Sequence, residues 1–392
     1  MGEQFGPIRY PWFVNLKLRS RVAVLAALVL GGFASCSSDS PAAPKIDPSP
    51  DLVAGVAWFD DGDESIGPGE RPAEKLVSHL GLGTQILQSP SEVRTDNRGG
   101  FVLDVPELDA AAAAELFVQI TFPVEGPAGK DIEVQVRRPA RPGDVDVEIP
   151  VLQPTRCAAE LDALLAGSSE CGNAQLPDLV PLVEDFGQPP TQPIATRSAR
   201  VDTTTLPGTP LLRFASATAN LGAGPLHMIP ERAPTNGRIP TWQRLWTDEN
   251  RFVDQRTGSF VFHEDHDHFH LDGFEHYRLL GLEGEVVATG EKVSFCLIDA
   301  LAASPSAQTR GQGIFLDAVC EQAGAQQALN PGWADYYGAG LPDQWIDITG
   351  VAPGDYLVEI IADPDNVLLE SDETNNRAQF PVTITAAELN EN

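Results

Sequence analysis

Basic residues are scarce in this chain. Only 26 lysines and arginines stand against 56 aspartates and glutamates, a formal net charge of −30. Phosphate backbones need the opposite sign, so a general nucleic-acid-binding surface is excluded. Such a charge attracts cations, and it also keeps a protein soluble; charge alone does not choose between the two. Helical periodicity is scarce as well. After Phe33 no apolar run is long enough to be a candidate for crossing a bilayer. Cysteine is limited to five residues, none of them at zinc-finger spacing.

What the chain does have begins with an export pattern. Lys17, Arg19 and Arg21 precede an apolar run from Val22 to Phe33, followed by Ala34, Ser35 and Cys36. The run is short for a bilayer span, and small residues before a cysteine resemble a bacterial lipoprotein signal. Residues 1–36 are therefore expected to be a signal peptide with lipid added at Cys36, and 37–50, rich in Ser, Pro and Ala, a tether. That address is the cell envelope or the outside, anchored to the membrane by lipid, where disulfides are allowed. Proximity favours Cys157 with Cys171 and Cys296 with Cys320 among the three possible pairings.

Short β-like runs separated by Gly, Pro, Asn and Asp fill residues 51–153, which suits a small antiparallel sandwich acting as a spacer. Its acidic turn, Asp60, Asp61 and Asp63, fails the EF-hand pattern and reads as solvated, because Pro72 stands where the bidentate Glu belongs. Residues 154–175 hold one short helix between Cys157 and Cys171. Gln175 to Pro210, crowded with proline and threonine, leaves little room for regular structure. Beyond it, runs such as Leu211–Phe214, Phe260–Phe262, Phe269–Leu280, Val293–Ile298, Trp345–Ile348, Tyr356–Ile361 and Ala378–Ile384 read as strands. The fold expected is all-β, a small sandwich followed by a larger sandwich-like domain over 176–386, with 387–392 as a tail.

Five of the seven histidines fall in FHEDHDHFHLDGFEHYRLL, from Phe262 to Leu280. His266, His268 and His270 are two residues apart, so on a strand they line one face. Three neutral imidazoles on one face can hold Cu(II), Zn(II), Fe(II) or Ni(II) and leave positions open. Aromatic and aliphatic neighbours place the run in a packed strand rather than a solvent-facing tract that binds nothing.

The order LPDLV, LLRFASATANLG, HEDHDHFH, EKVSFCLID, YGAGLPDQWIDIT and SDETNN resembles the catalytic domain of the lysyl oxidase family over about half the chain. The resemblance implies a copper-dependent amine oxidase whose lysine tyrosylquinone cofactor is made from its own side chains. Carried over residue by residue, it implies copper on His266, His268 and His270, and a cofactor from Lys292 and Tyr337 rather than the neighbouring Tyr336. His263 matches a leading histidine outside the ligand set. It implies a general base at His276, and Asp299 is a second candidate for the base or for orienting it. The implied reaction takes a primary amine, including the lysine side chain of a protein, with molecular oxygen to aldehyde, ammonia and hydrogen peroxide. A quinone carbonyl condenses with an amine and acidifies the next carbon, whose proton a histidine can take near neutral pH.

Three departures matter. Phe262-His263-Glu264-Asp265 stands where animal members have Trp-His-x-Cys, and Asp343 replaces a family cysteine. The link from His270 to His276 is one residue shorter, and on a strand one residue reverses every side chain unless a bulge absorbs it. Two rivals remain: a non-catalytic copper- or zinc-binding surface module, and an adhesion scaffold with incidental metal. A quinone stain separates the oxidase from both, and metal analysis separates the rivals from each other. For the address, Cys36→Ser is expected to leave the chain unlipidated and to release it from the membrane fraction; unchanged detergent fractionation would refute the lipid anchor.

Overall fold

The computed structural model describes Pro44 and residues 46–59, 71–82, 85–87, 93–114, 116–127, 131–151, 154–184, 195–231, 237–264, 268–304, 314–315, 320 and 325–389. Cys36, the acidic turn Asp60, Asp61 and Asp63, and His266 lie outside the described residues. The all-β expectation holds: described helices such as Ala110–Ala114 and Leu161–Leu165 have five residues or fewer.

In the first half, apolar residues on strand Leu52–Phe59 bury against Gly100–Asp104 on one side and Val147–Val151 on the other. A second sheet of Val77–Leu82, Leu116–Val124 and Ile132–Pro139 faces it. Inward residues of both, including Val53, Leu103, Val118, Ile120 and Ile149, make one apolar cluster. That cluster also takes in Trp246, Phe252 and Ala328 from the second half. Ile314–Phe315 pairs with the edge of Ile132–Pro139, so one sheet contains strands from both halves. The region expected as a spacer thus shares core and sheet with the second half.

An eight-stranded sheet dominates the second half, ordered Ser294–Phe295, His268–Asp272, Arg251–His263, Arg238–Thr247, Leu226–Pro230 and Gln327–Leu329, with two short strands at its side. A four-stranded sheet holds Leu179–Pro181, Ser216–Asn220, Trp333–Tyr337 and Leu301–Ala302. A further four-stranded sheet holds Val286–Thr289, Glu275–Leu280, Gly354–Ala362 and Arg377–Ile384. Phe214, Phe260, Leu271, Phe274, Tyr277, Phe295 and Phe380 fill the core between them. Both expected disulfides are present, Cys157–Cys171 and Cys296–Cys320.

Three features add to or change the sequence reading. Arg238–Thr247 is a ten-residue strand without an apolar alternation, because it buries Thr241, Gln243 and Arg244. Arg244 is compensated by Asp254 at 2.7 Å, both side chains at most 1% exposed, so an ion pair replaces the usual apolar signal. The proline-rich arm contains Leu179–Pro181, which pairs with Ser216–Asn220, a partner far away in sequence. The LPDLV and SDETNN motifs meet there: Leu179 N–H donates to Glu370 at 2.6 Å, and Asn375 donates to Asp178 at 2.9 Å. Burial beside Glu373 and Asp363 pushes the Glu370 carboxyl up to about 8.

The third change positions the site. Phe269–Leu280 is not one strand but two, His268–Asp272 and Glu275–Leu280, in different sheets. The break is at Gly273, whose φ of 73° is costly for a residue with a Cβ. An added Cβ there would meet nothing within 4 Å, so only backbone strain opposes substitution. Gly273→Ala is expected to lower stability by about 1–2 kcal/mol, read as a lower urea midpoint at an unchanged denaturant slope.

Candidate functional site

Each strand contributes to the site through its two-residue repeat. On His268–Asp272, His268 and His270 share a face, and their ring centroids are 4.7 Å apart. His263 stands across the ladder from His268, with its ring 5.0 Å from that of His270. His270 is fully buried, and its Nδ1 and Ser294 Oγ share a hydrogen bond at 3.3 Å. These donors suit copper: imidazoles that are neutral as ligands, at least one oriented by a hydroxyl on its other nitrogen.

Trp333–Tyr337 lies antiparallel to Ser216–Asn220, with Tyr337 opposite Ser216 and Asp335 opposite Thr218. Directly opposed residues share a face, so Tyr337, Asp335, Ser216 and Thr218 point together into the core between sheets. Tyr336 faces the other way, into a separate apolar cluster with Ala217 and Ala334. The structure therefore brings Tyr337, and not Tyr336, to Lys292. The lysine Nζ stands 5.2 Å from the Tyr337 ring centroid and 5.2 Å from that of Phe295. Tyr337 is held at its hydroxyl, which accepts from Cys296 N–H and donates to Cys296 O, each at 2.8 Å.

The Cys296–Cys320 bridge links that tyrosine to the histidines. Cys320 O accepts from the Phe269 N–H at 2.9 Å, between His268 and His270. Gln327 ties the same region, donating to Phe269 O at 2.8 Å and accepting from Leu297 N–H at 3.1 Å. One covalent staple thus joins the backbone that grips the Tyr337 hydroxyl to the backbone between two imidazoles.

Lys292 is 5% exposed, and its Nζ has no hydrogen-bond partner among the described residues. Burial pulls its pKa down, while the nearby carboxyls of Asp343, Asp335 and Glu275 push it up. Glu275 is fully enclosed. Thr218 Oγ1 donates to one of its oxygens and the Tyr277 hydroxyl to the other, and burial raises its pKa despite these donors. Asp343, standing in place of the family cysteine, lies 3.9 Å from His263 Nε2.

His276 lies elsewhere. On Glu275–Leu280 the inward positions are Glu275, Tyr277 and Leu279; His276 shares the opposite face with Arg278. Burial, then the Arg278 charge, lowers its pKa, while Asp365 and Glu359 raise it. Glu275 takes the inward place, as the shortened link and the break at Gly273 dictate. Asp299 grips Asn330, accepting from its N–H and its Nδ2, each at 2.9 Å, ahead of the tyrosine strand. It orients that turn. Sequence reasoning did not single out Asp335, Glu275, Ser294 or Gln327; for Asp335 a signal existed, two residues before Tyr337 and so on its face.

Part of the sequence around this site is shared with known proteins. Residues 247–390 match the lysyl oxidase family model. The chain is 40% identical to lysyl oxidase homolog 2 of Xenopus tropicalis over 119 residues, 30% of this chain and 14% of that protein. It is 39% identical to lysyl oxidase homolog 4 of Mus musculus over 119 residues, again 30% of this chain and 14% of the relative. With lysyl oxidase homolog 1 of Homo sapiens it shares 41% over 120 residues, 30% of this chain and 19% of that protein. The alignment thus spans less than a fifth of each of these relatives. Residues 247–390 are thus similar to the lysyl oxidase family.

Proposed function

We propose that this chain oxidises primary amines to aldehydes with copper and a quinone built from Lys292 and Tyr337. The observation that carries the reading is the convergence of a buried, unbonded lysine amine on the Tyr337 ring at 5.2 Å. The Cys296–Cys320 bridge ties that ring to the histidine strand. His268 and His270, with His266 of the same motif, would hold the metal, and Ser294 would orient His270. When bound, copper supports oxidation of the tyrosine ring by dioxygen, and the resulting quinone supplies the carbonyl that takes the amine nitrogen.

The chain's own residues set the conditions for that chemistry. Cys296 fixes the Tyr337 hydroxyl through two backbone hydrogen bonds. Burial of Lys292 makes it easier for the ammonium to give up a proton and become the nucleophilic amine. A net charge of −30 draws cationic amines toward the protein, lysine side chains of other proteins included. The lipid anchor at Cys36 would present this centre at the cell envelope.

The test is copper-loaded protein assayed for quinone stain, hydrogen peroxide release over an amine panel, and a branched Lys292–Tyr337 peptide by mass spectrometry. Lys292→Arg is expected to remove the branched peptide and the turnover while leaving copper bound. His268→Ala and His270→Ala should each lose copper, and Ser294→Ala should weaken its binding about tenfold. Amine oxidation by a protein whose two peptides are recovered separate and unmodified would refute the cofactor assignment.

A further inference from the structure

Two orphaned groups of opposite sign occupy the same buried space. Asp335 is 1% exposed, and neither carboxyl oxygen meets a hydrogen-bond partner in good geometry; the Ile298 N–H gives only a weak contact. Lys292 Nζ is also without a partner among the described residues. A polar group removed from water is costly unless paired, and a charge far more so. Asp335 and Tyr337 share one face of one strand, and Lys292 stands over the Tyr337 ring. The charge of each of Asp335 and Lys292 acts on the other.

We propose that Asp335 is the charge partner of Lys292 in the resting chain and takes its proton when Nζ joins the Tyr337 ring. This inference rests on the reading that Lys292 and Tyr337 become bonded. An ammonium cannot form that bond, since its nitrogen has no free electron pair; one proton must leave first. A nearby acceptor is favoured over bulk water, because Lys292 Nζ is buried.

Among the described residues, Glu275 is the other buried carboxyl facing the lysine, but both of its oxygens are engaged, by Thr218 and Tyr277. Asp343 is more than one-third exposed at its side chain and lies toward His263. Asp299 is bound to Asn330. Asp335 is left. Once bonded to an aromatic ring, the nitrogen no longer carries a positive charge, and a carboxylate beside it would be a buried charge without compensation. Burial and the neighbouring Glu275 already favour the protonated form of Asp335. Proton transfer from Lys292 to Asp335 keeps the centre free of unpaired charge on both sides of the step.

Atoms and electrons balance over the whole sequence. Dioxygen, with copper in place, first converts the Tyr337 ring to an ortho-quinone and water. The Lys292 ammonium gives one proton to Asp335, and its nitrogen electron pair forms the bond to a ring carbon. One remaining N–H proton and the displaced ring hydrogen move to the two ring oxygens, leaving the ring reduced by two electrons. A second dioxygen takes those two electrons and two protons and leaves as hydrogen peroxide.

Asp335→Asn keeps the shape and removes both the charge and the proton acceptor, so two opposite effects are expected. In copper-loaded protein, the maximal rate of branched-peptide formation should fall about a hundredfold, the loss typical of a missing general base. Its acidic limb should move to lower pH, because Lys292 loses a carboxylate that raises its pKa. In metal-free protein, the pH dependence of Lys292 carbamylation by cyanate, read by peptide mass spectrometry, should move in the same direction. Asp335→Glu, which keeps the charge and shifts it by one methylene, should leave the limb near wild type with an intermediate rate. It also serves as the second variant if the asparagine chain does not fold. A loss of packing alone would slow the step without moving either pH profile. Wild-type branched peptide together with unchanged rate and limb in Asp335→Asn overturns the proposal alone. No branched peptide from wild type overturns the cofactor reading and the bond-forming role with it, while the cyanate profile still decides the charge partnership.

Discussion

The Tyr277 hydroxyl joins two sheets of the second half. It meets Ser216 at 2.7 Å and Gln344 at 3.1 Å, and it donates to Glu275 at 2.7 Å, all in a region without solvent. The Tyr277 ring meanwhile packs edge-on against Phe214 at 5.0 Å and Phe295 at 6.1 Å. Buried hydrogen bonds of this kind are strengthened by the low dielectric around them, and together they tie one register between the layers. That register is what places Ser216 opposite Tyr337 and Thr218 opposite Asp335. Slipping either strand by one residue would exchange Tyr337 for Tyr336 and remove Asp335 from the centre.

Against that ordered layer, Lys292 and Asp335 stand out. Two buried arginines are paired in place: Arg244 with Asp254, and Arg213 with Asp202 at 2.7 Å and with the carbonyls of Ala339 and Leu341. The lysine beside Tyr337 is not, and polar groups left incomplete tend to sit where chemistry is done. Surface charge plays a different part. It acts over a Debye length and guides what approaches, whereas buried groups decide what happens after arrival.

The first half of the chain is bound into this arrangement more firmly than a spacer requires. Arg244 reaches Glu125 O at 2.7 Å, and Gln326 bridges Glu133 O at 2.7 Å to His227 at 2.9 Å. His227 is enclosed and stacks on Trp246, and burial followed by the Arg244 charge lowers its pKa to about 3, so it stays neutral. Ile314–Phe315, which joins the first-half sheet, lies between the two cysteines of the bridge that holds the site.

Much of this was legible in the residues alone. Apolar runs bounded by turn residues announced Leu52–Phe59, Leu116–Val124 and Gly354–Ala362, because strands buried along most of their length read as near-continuous hydrophobic runs. The histidine spacing, the lysine before VSFC and the tyrosine before GAG carried the family, and the cysteine pairs followed from proximity. Arg238–Thr247 was not legible, since an ion pair and hydrogen bonds replace its apolar face. Nor was the inward place of Glu275, because parity along FHLDGFEHY holds only while the strand continues. Gly273 ends it, and the passage of the chain into a second sheet resets which side chains face the core. Sequence determined which chemical groups this protein possesses and how they alternate locally. Only the tertiary structure decided that Asp335 and Lys292 would share one dry space, because that depends on contacts between strands more than 40 residues apart, which no local pattern encodes.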